Sequence, residues 1–386
     1  VLSGGATLVK KRNYDSRKRS RQQLLGATID LVDQIGLDRV TMSSIGRDAQ
    51  VSRGTLYTNF ESPESAMAEV WLELGDEWLR GVSKCHTTSI TPTQHRALID
   101  AFFTAPRRPE LLEVVRPILL GHLAEALAIG SRRRDRWVWQ MSLGLGASIL
   151  AESGLPGSPE HVQTVVTALC DYPDGDHQGD PRALPQFVES PLPLLPQGEE
   201  IEDRLLRATA TVVANAGVAG TSMLRVCRLA RLTPGAFPNH FSSLTEAVLK
   251  SFRTVLDCVI DQDRQDYFNT KLIDKPSDEI ARLLVSAMRP SRELWRKLCR
   301  EMMVEARRND DVRDAMIDAL NAVDAIILRD FAQLGIDELT GRRMLTLHRA
   351  FTVGFTILAE LGVDVSQVDH ASIIEWGLKQ IPTTSN

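Results

Sequence analysis

Residues 21–46, RQQLLGATIDLVDQIGLDRVTMSSIG, and residues 49–70, AQVSRGTLYTNFESPESAMAEV, decide the fold of the first part of the chain. Apolar side chains recur from Leu24 to Ile35 at helical spacing, which predicts an amphipathic helix. Gly36 follows at the position where helices commonly end. The first stretch therefore predicts a helix that stops at about residue 35.

Two shorter helices are predicted to follow. Thr41 is the expected N-cap of a helix from Met42 to about Ala49, because its hydroxyl can accept a hydrogen bond from a free backbone N–H. Ser52 is the equivalent cap of a third helix over 53–60. Three short helices with a tight turn before the third are typical of a helix-turn-helix, whose last helix enters the major groove of DNA.

The polar side chains of the third helix suit contact with DNA. Arg53 can hydrogen-bond O6 and N7 of guanine, and Thr55 is short enough to reach a base edge. Tyr57 and Asn59 can donate to phosphates, and Gly54 leaves room for the backbone to approach one. The predicted DNA-binding residues are Thr41, Ser43, Ser52, Arg53, Gly54, Thr55, Tyr57 and Asn59.

Charge is distributed unevenly along the sequence. The 386 residues include 45 Lys and Arg against 50 Asp and Glu, a net charge of −5. Residues 10–60 hold ten Lys and Arg against five Asp, so this segment carries +5. A basic end on an acidic body is typical of a protein that points one end at a polyanion, but basic N-termini are also commonly solvated tails. Charge alone leaves both interpretations open.

The two quoted stretches resemble the DNA-binding domain of the tetracycline-repressor (TetR) family of bacterial transcription regulators. Gly54, Leu56, Tyr57 and Phe60 fill the family's pattern G-x-L-Y-x-x-F at the end of the recognition helix. Leu56 and Phe60 are expected in the core of the unit. Pro63 departs from the pattern, since the family usually has a lysine there. The resemblance implies a helical body that binds a small-molecule effector and thereby moves the DNA-binding heads.

The same unit occurs a second time in the sequence. Residues 22–72 align without a gap with residues 203–253, at an offset of 181, and thirteen positions are identical. A second echo, residues 146–154 against 354–362, has an offset of 208, so the second copy has gained 27 residues between the two echoes. We expect this gain to form an extra or longer helix within residues 303–340.

The predicted fold class is therefore all-α, with two tandem TetR-like units, each a three-helix head plus a helical-bundle body. A segment with six prolines separates them and is expected to be extended. The expected domains are a disordered basic arm (1–15), a DNA-binding helix-turn-helix (16–62), a first helical ligand and dimerisation body (63–170), a Pro-rich acidic linker (171–198), a degenerate second helix-turn-helix (199–243) and a second helical ligand and dimerisation body (244–386).

The second head lacks the residues expected to read DNA. Pro234, Ala236, Pro238 and His240 stand where the first head has its four polar side chains. Pro238 removes a backbone donor and is expected to disturb the third helix. We predict a unit that keeps the fold and packs or dimerises, with arginines that leave room for weak phosphate contact.

Long helices are expected in both bodies. Residues 132–152 and 342–361 are the predicted penultimate helices, in which Gly144, Gly146 and Gly354 allow close approach of another helix. In the family the last two helices form a four-helix dimer interface. The two copies could complete this interface within one chain, or each could pair with its twin in a second chain. Because a palindromic operator needs two reading heads, we predict a homodimer.

The effector is implied by the resemblance alone and stays unknown. A Met and aromatic stripe in the second body is a candidate pocket lining, but it is equally typical of ordinary core. Its members are Trp295, Met302, Met303, His348, Phe351 and Phe355. No ligand-binding residue is therefore assigned.

Several classes of protein are not expected. The chain lacks HExxH, GxSxG, Walker and GxGxxG motifs, which argues against an enzyme, and no cofactor is predicted. The five cysteines never form CxxC, which argues against a metal site or disulfide framework and for a reducing cytosol. No apolar run reaches about 18 residues, and no secretory signal is apparent, so a cytoplasmic protein without a membrane partner is expected.

The sequence as a whole predicts a ligand-responsive bacterial transcriptional regulator, a repressor. It would bind double-stranded operator DNA through the N-terminal helix-turn-helix, and an effector in a helical body would alter operator affinity. The alternative is a helical interaction or ligand-sensing protein in which DNA binding is secondary.

Overall fold

The computed structural model describes residues 3–84, 88–177, 194–195, 197–269, 281, 286–333 and 335–380. Within these ranges the chain is helical and contains no strand, as predicted. Nor is any helix there both long and apolar enough to cross a lipid bilayer. The α-helices are α1 (Ser3–Ile35), α2 (Met42–Asp48), α3 (Arg53–Asn59), α4 (Pro63–Lys84), α5 (Pro92–Thr104), α6 (Pro109–Ile129), α7 (Ser131–Glu152), α8 (Pro159–Ala168), α9 (Ile201–Ala216), α10 (Met223–Leu229), α11 (Leu244–Asn269), α12 (Glu293–Ala306), α13 (Asp310–Gln333), α14 (Glu338–Glu360) and α15 (His370–Gln380).

The chain divides into two compact units. The first comprises residues 1–79 and 88–119, and the second comprises 80–87 and 120–386. In the first unit α1 packs against α2, α3 and α5, and in the second unit α9 packs against α10, α11 and α12. The division passes through the predicted first body rather than through the predicted linker, of which residues 178–193 and 196 lie outside the described ranges.

The N-terminal segment differs from the sequence expectation. Helix α1 begins at Ser3, where a disordered arm was expected over residues 1–15, and residues 1–2 lie outside the described ranges. No proline interrupts residues 3–35, and lysine, arginine, glutamine and leucine are all good helix formers. The basic segment therefore continues the first helix of the head.

The core of the first head matches the predicted helical stripe. Leu24, Val32 and Ile45 are completely buried, and Leu56 and Phe60 are nearly so. Helix α1 ends where Gly36, with φ of 80°, turns the chain, so the predicted glycine stop is confirmed. The three helices thus enclose one small apolar core.

The second head repeats the local backbone of the first. Gly217 ends α9 with φ of 74°, as Gly36 ends α1. In the turn before the third helix, Gln50 and Arg231 occupy the same aligned position and both adopt the left-handed region, with φ of 52° and 56°. Non-glycine residues seldom do so. The two aligned segments therefore share a backbone conformation at these two turns.

The third helix of the second head is altered, as Pro238 predicted. Residues Pro234–Asn239 form a 3-10 helix instead of the α-helix seen in the first head. A proline inside an α-helix removes a hydrogen-bond donor and crowds the preceding turn. The segment equivalent to the reading helix thus has fewer hydrogen-bond donors and a different helical geometry.

The extra length of the second copy does not lie mainly within residues 303–340. Helices α5 and α12 are equivalent, because each packs against the first helix of its head. Their first residues, Pro92 and Glu293, are already 201 positions apart, against 181 for the heads. Twenty of the 27 extra residues therefore precede α12, mostly in 270–285, which lie largely outside the described ranges. The two echoes fixed only the total gain, so the sequence could not locate it.

Four helices of the second unit pack together: α7, α8, α14 and α15. The glycine notches operate as predicted, since a Cβ on Gly146 would lie 1.8 Å from the carbonyl oxygen of Ala350. A Cβ on Gly354 would lie 1.9 Å from the carbonyl oxygen of Ser142. Helices α7 and α14 therefore touch backbone to backbone. We call this arrangement the internal four-helix interface.

Aromatic and polar contacts complete the internal four-helix interface. The ring centroids of Trp139 and Phe351 lie 4.4 Å apart. The indole Nε1 of Trp139 donates to Nδ1 of the completely buried His370, at 3.1 Å. Burial lowers the pKa of His370 to about 4. The backbone N–H of Asp369 also donates to the buried carboxylate of Asp135, at 3.0 Å. Helix α7 is thus joined by specific contacts to α14 and to the start of α15.

Candidate nucleic-acid interface

Both short helices of the first head begin with the predicted caps. The hydroxyl of Thr41 accepts from the backbone N–H of Ser44 at 3.1 Å, and the hydroxyl of Ser44 accepts from the N–H of Thr41 at 3.0 Å. This reciprocal pair is a capping box. The hydroxyl of Ser52 accepts from the N–H of Thr55 at 3.1 Å. The caps fix where α2 and α3 start, and so which side chains of α3 face outward.

The outward face of the first head carries most of the predicted DNA-binding residues. Ser43, Arg53, Gly54 and Tyr57 are exposed, and Tyr57 keeps 47% of its surface open despite its large ring. The guanidinium carbon of Arg53 lies 5.6 Å from the centre of the Tyr57 ring, a cation–π contact. This contact holds the arginine at the start of α3 while leaving its donors accessible.

Two of the predicted residues are less free. The hydroxyl of Thr55 is half-buried and lies 2.9 Å from that of Ser52. The amide nitrogen of Asn59 donates to the carbonyl of Thr55 at 2.7 Å, so this donor already has a partner within α3. Asn59 thus closes the end of the helix with one of its two amide hydrogens, and its predicted phosphate contact would use the other.

Two features of the contact between α2 and α3 were not predicted from the sequence. A Cβ on Gly46 would lie 2.9 Å from Cδ2 of Leu56, so α2 and α3 cross at a glycine. Arg47, next to it, is exposed on the last turn of α2. The alignment offered a signal for both, because position 46 becomes Cys227 in the altered head whereas Arg47 is kept as Arg228.

Ion pairs fasten the loop after α1 to the end of α5. Asp38 accepts from Arg107 through both carboxylate oxygens, at 2.8 and 2.6 Å, and also pairs with Arg108. Although burial raises the pKa of Asp38, the hydrogen bonds and charges of the two arginines lower it overall. Arg108 also pairs with Glu64 at the start of α4. The head is therefore tied electrostatically to the helices that follow it.

Four of the six candidate pocket residues of the second body are buried, whereas Trp295 is half-buried and His348 is exposed. Phe351 and Phe355 stack 4.9 Å apart and lie against His370 in the internal four-helix interface. Met302 is completely buried and Met303 nearly so. Trp295 stacks on Phe252 at 5.7 Å. This placement agrees with the interpretation of the stripe as ordinary core and names no ligand site.

The comparisons with known proteins point to the same region. Residues 24–68 match the sequence model of bacterial regulatory proteins of the tetR family. The match gives no support for a second head of this family at 203–253. A comparison with curated proteins found none that matches the chain. The matched family is one of regulators and not of enzymes.

The matched residues are those that build the capped α2–α3 pair and its exposed arginine and tyrosine. Such a domain binds operator DNA, which implies a transcriptional regulator. Residues 24–68 are the N-terminal helix-turn-helix domain of the TetR family.

Proposed function

We propose that the chain is a ligand-responsive transcriptional repressor whose first head reads one half-site of operator DNA. The observation that carries this proposal is the exposed face of α3, where Arg53 lies over Tyr57 at the start of a capped helix. Arginine at that place can reach guanine in the major groove. Thr41, Ser43 and Ser52 are exposed on the same head and supply hydroxyls for phosphate oxygens.

The proposal also holds that the chain consists of two tandem TetR-like units. The equivalent turns at Gln50 and Arg231 and the equivalent helix ends at Gly36 and Gly217 support it. The internal four-helix interface has the helix content expected of the family's dimer interface. The homodimer remains a prediction from the sequence, and it would need a surface other than these four helices.

The route from effector to operator runs through the ion pairs of Asp38. A shift of α5 moves Arg107 and Arg108, and with them the loop that precedes α2. A small molecule that favours one position of α5 therefore changes the orientation of α3. By linkage, operator binding weakens effector binding by the same factor.

The test uses the full chain and DNA selected from a random duplex pool. Arg53→Ala and Arg47→Ala are each expected to lower affinity for the selected duplex about 10- to 100-fold, since a good base contact is worth about 1–3 kcal/mol. The logarithm of affinity should also fall linearly with the logarithm of salt concentration. Fluorescence anisotropy measures both.

The matched control is Arg228→Ala, because position 228 in the second head aligns with position 47 in the first. It is expected to leave affinity for the selected duplex unchanged. If Arg53→Ala leaves both affinity and base preference intact, α3 does not read DNA and the proposal is wrong.

A further inference from the structure

The outward face of α10 in the second head combines leucines with arginines. Leu224 and Leu229 are 55% and 50% exposed, although leucine is among the residues most often buried. Arg225 and Arg228 are exposed between them, because 3.6 residues per turn place all four side chains on one side of the helix. Val226 faces the opposite way and is completely buried. The leucines are therefore on the surface, and a different face of the helix packs against the core of the head.

Exposed apolar side chains are concentrated in this head. Nine large ones are exposed in the described part of the chain, and four of them fall within residues 201–229. Three of those belong to the seven residues of α10: the two leucines and Met223, which is 51% exposed at the start of the helix. Clustering of this kind marks an interaction surface, whereas scattered apolar residues are normal.

The first head shows what has changed. Ser43 and Asp48 occupy the positions of Leu224 and Leu229, and both are exposed and polar. The arginine at position 47 is kept as Arg228. The surface that accompanies the reading helix in the first head has thus become apolar in the second, while its positive charge was retained.

Nucleic acid is a poor occupant for this surface. Beside it, Pro234, Ala236 and Pro238 offer no side-chain donors for bases or phosphates. Phosphate oxygens would leave the leucines uncovered. A second copy of the same face is also a poor occupant, because it would bring Arg225 and Arg228 against their own equivalents.

We propose that Leu224, Arg225, Arg228 and Leu229 form a docking surface for an acidic amphipathic helix of another protein. Apolar side chains at positions i, i+3 or i+4, and i+7 of that helix cover the leucines. Carboxylates flanking them pair with the two arginines, and this complementarity selects acidic partners over basic ones. The second head is then an adaptor for a protein and the first a reader of DNA, and the docking surface does not depend on the first head.

The test is a selection of 16-residue peptides from a random displayed library on the full chain, with the double variant Leu224→Ser, Leu229→Asp as the counter-selection. This variant restores the residues of the first head at the two positions. Enriched peptides are expected to combine Asp or Glu with Leu, Phe or Trp at helical spacing. Fluorescence anisotropy of a selected peptide should show affinity at least tenfold weaker for the double variant. Leu339→Ser, at an exposed leucine outside the second head, should leave it unchanged.

A charge-reversal pair separates docking from simple stickiness. Arg228→Glu should weaken binding of the selected peptide. Replacing one acidic residue of the peptide with lysine should restore part of the lost affinity. The proposal is overturned if no acidic apolar sequences are enriched, or if they bind the double variant equally well. It is also overturned if the chain self-associates through Leu224 and Leu229. The same holds if Arg225→Ala and Arg228→Ala lower affinity for the selected duplex and not for the peptide. Operator affinity of the double variant should match that of the native chain, so failure of docking and failure of DNA reading remain distinguishable.

Discussion

Asp38 shows how one side chain can connect a DNA-binding head to its support. Its carboxylate is mostly buried and receives both nitrogens of Arg107 together with Arg108. Because the arginines lower its pKa, the ionised form is favoured in the folded protein. The contribution to stability is therefore complete above the ordinary aspartate pKa of about 4 and is lost as pH falls through the lowered value.

Replacing this aspartate gives a prediction that depends on pH. Asp38→Asn is expected to destabilise the first unit at pH 7 by about 1.5–3 kcal/mol, the range for hydrogen bonds to charged groups. The difference from the native chain should narrow as pH falls below about 4. Denaturant unfolding of both proteins measures it. An equal difference at pH 7 and in acid would show that the charge of Asp38 does not matter.

The burial of His370 leads us to expect a second range of pH, higher than that of Asp38, in which stability changes. Its burial lowers its pKa to about 4, so the neutral ring is favoured in the folded chain. Stability is then complete above the ordinary histidine pKa of about 6.5 and declines as pH falls toward 4. Hydrogen exchange in α7 and α14, corrected for intrinsic rates, should accelerate over that range. His370→Asn should remove most of this acceleration, and an unchanged pH dependence in the variant would contradict the assignment.

At the scale of elements, the contact between α7 and α14 depends on the absence of two side chains. Gly146→Ala would place a methyl group 1.8 Å from a carbonyl oxygen, and backbone cannot move aside as a flexible side chain can. We expect this substitution to lower the free energy of unfolding by about 1–3 kcal/mol or more, the range that is typical of overpacking.

The matched control for this prediction is Gly26→Ala in α1. A Cβ there meets no atom within 4 Å, so this variant should gain about 0.5–1 kcal/mol from helix propensity. Calorimetric unfolding compares the two. Equal effects of the two substitutions would mean that α7 and α14 do not touch as described.

The elements that the sequence predicted well are those with local signals. The caps at Thr41 and Ser52, the glycine stop at Gly36 and the disturbance at Pro238 each depend on hydrogen bonds within a few residues. The exposed face of α3 followed from the same helical spacing. Its role in reading DNA stays a prediction.

The features that the sequence missed depend on distant partners or on backbone energetics. Nothing near Asp38 indicates that Arg107 and Arg108, about seventy positions later, will bind it. The left-handed turn at Gln50 uses a residue type with no preference for that conformation. Tertiary structure imposes the ion pairs, whereas local backbone hydrogen bonds close the turn, from Gln50 N–H to the carbonyl of Arg47 and from Val51 N–H to that of Gly46.

At the scale of the whole molecule, the internal four-helix interface sets the expected mass in solution. Since its four helices come from one chain, light scattering of the free protein should give 42.8 kDa. The homodimer predicted from the sequence would instead give about 86 kDa, twice that value. A complex whose mass is that of one 42.8 kDa chain plus the selected duplex would mean that one head suffices for binding. A mass near 86 kDa without DNA would require a second interface elsewhere.

Joining both sides of that interface in one chain has a consequence for inheritance. In a regulator assembled from two identical chains, every mutation appears on both sides, so a substitution that spoils DNA reading spoils it twice. Here Arg53 and Pro234, or Asp48 and Leu229, are encoded separately at equivalent positions. In the tandem arrangement proposed above, a substitution in one half therefore leaves the equivalent residue of the other half unchanged.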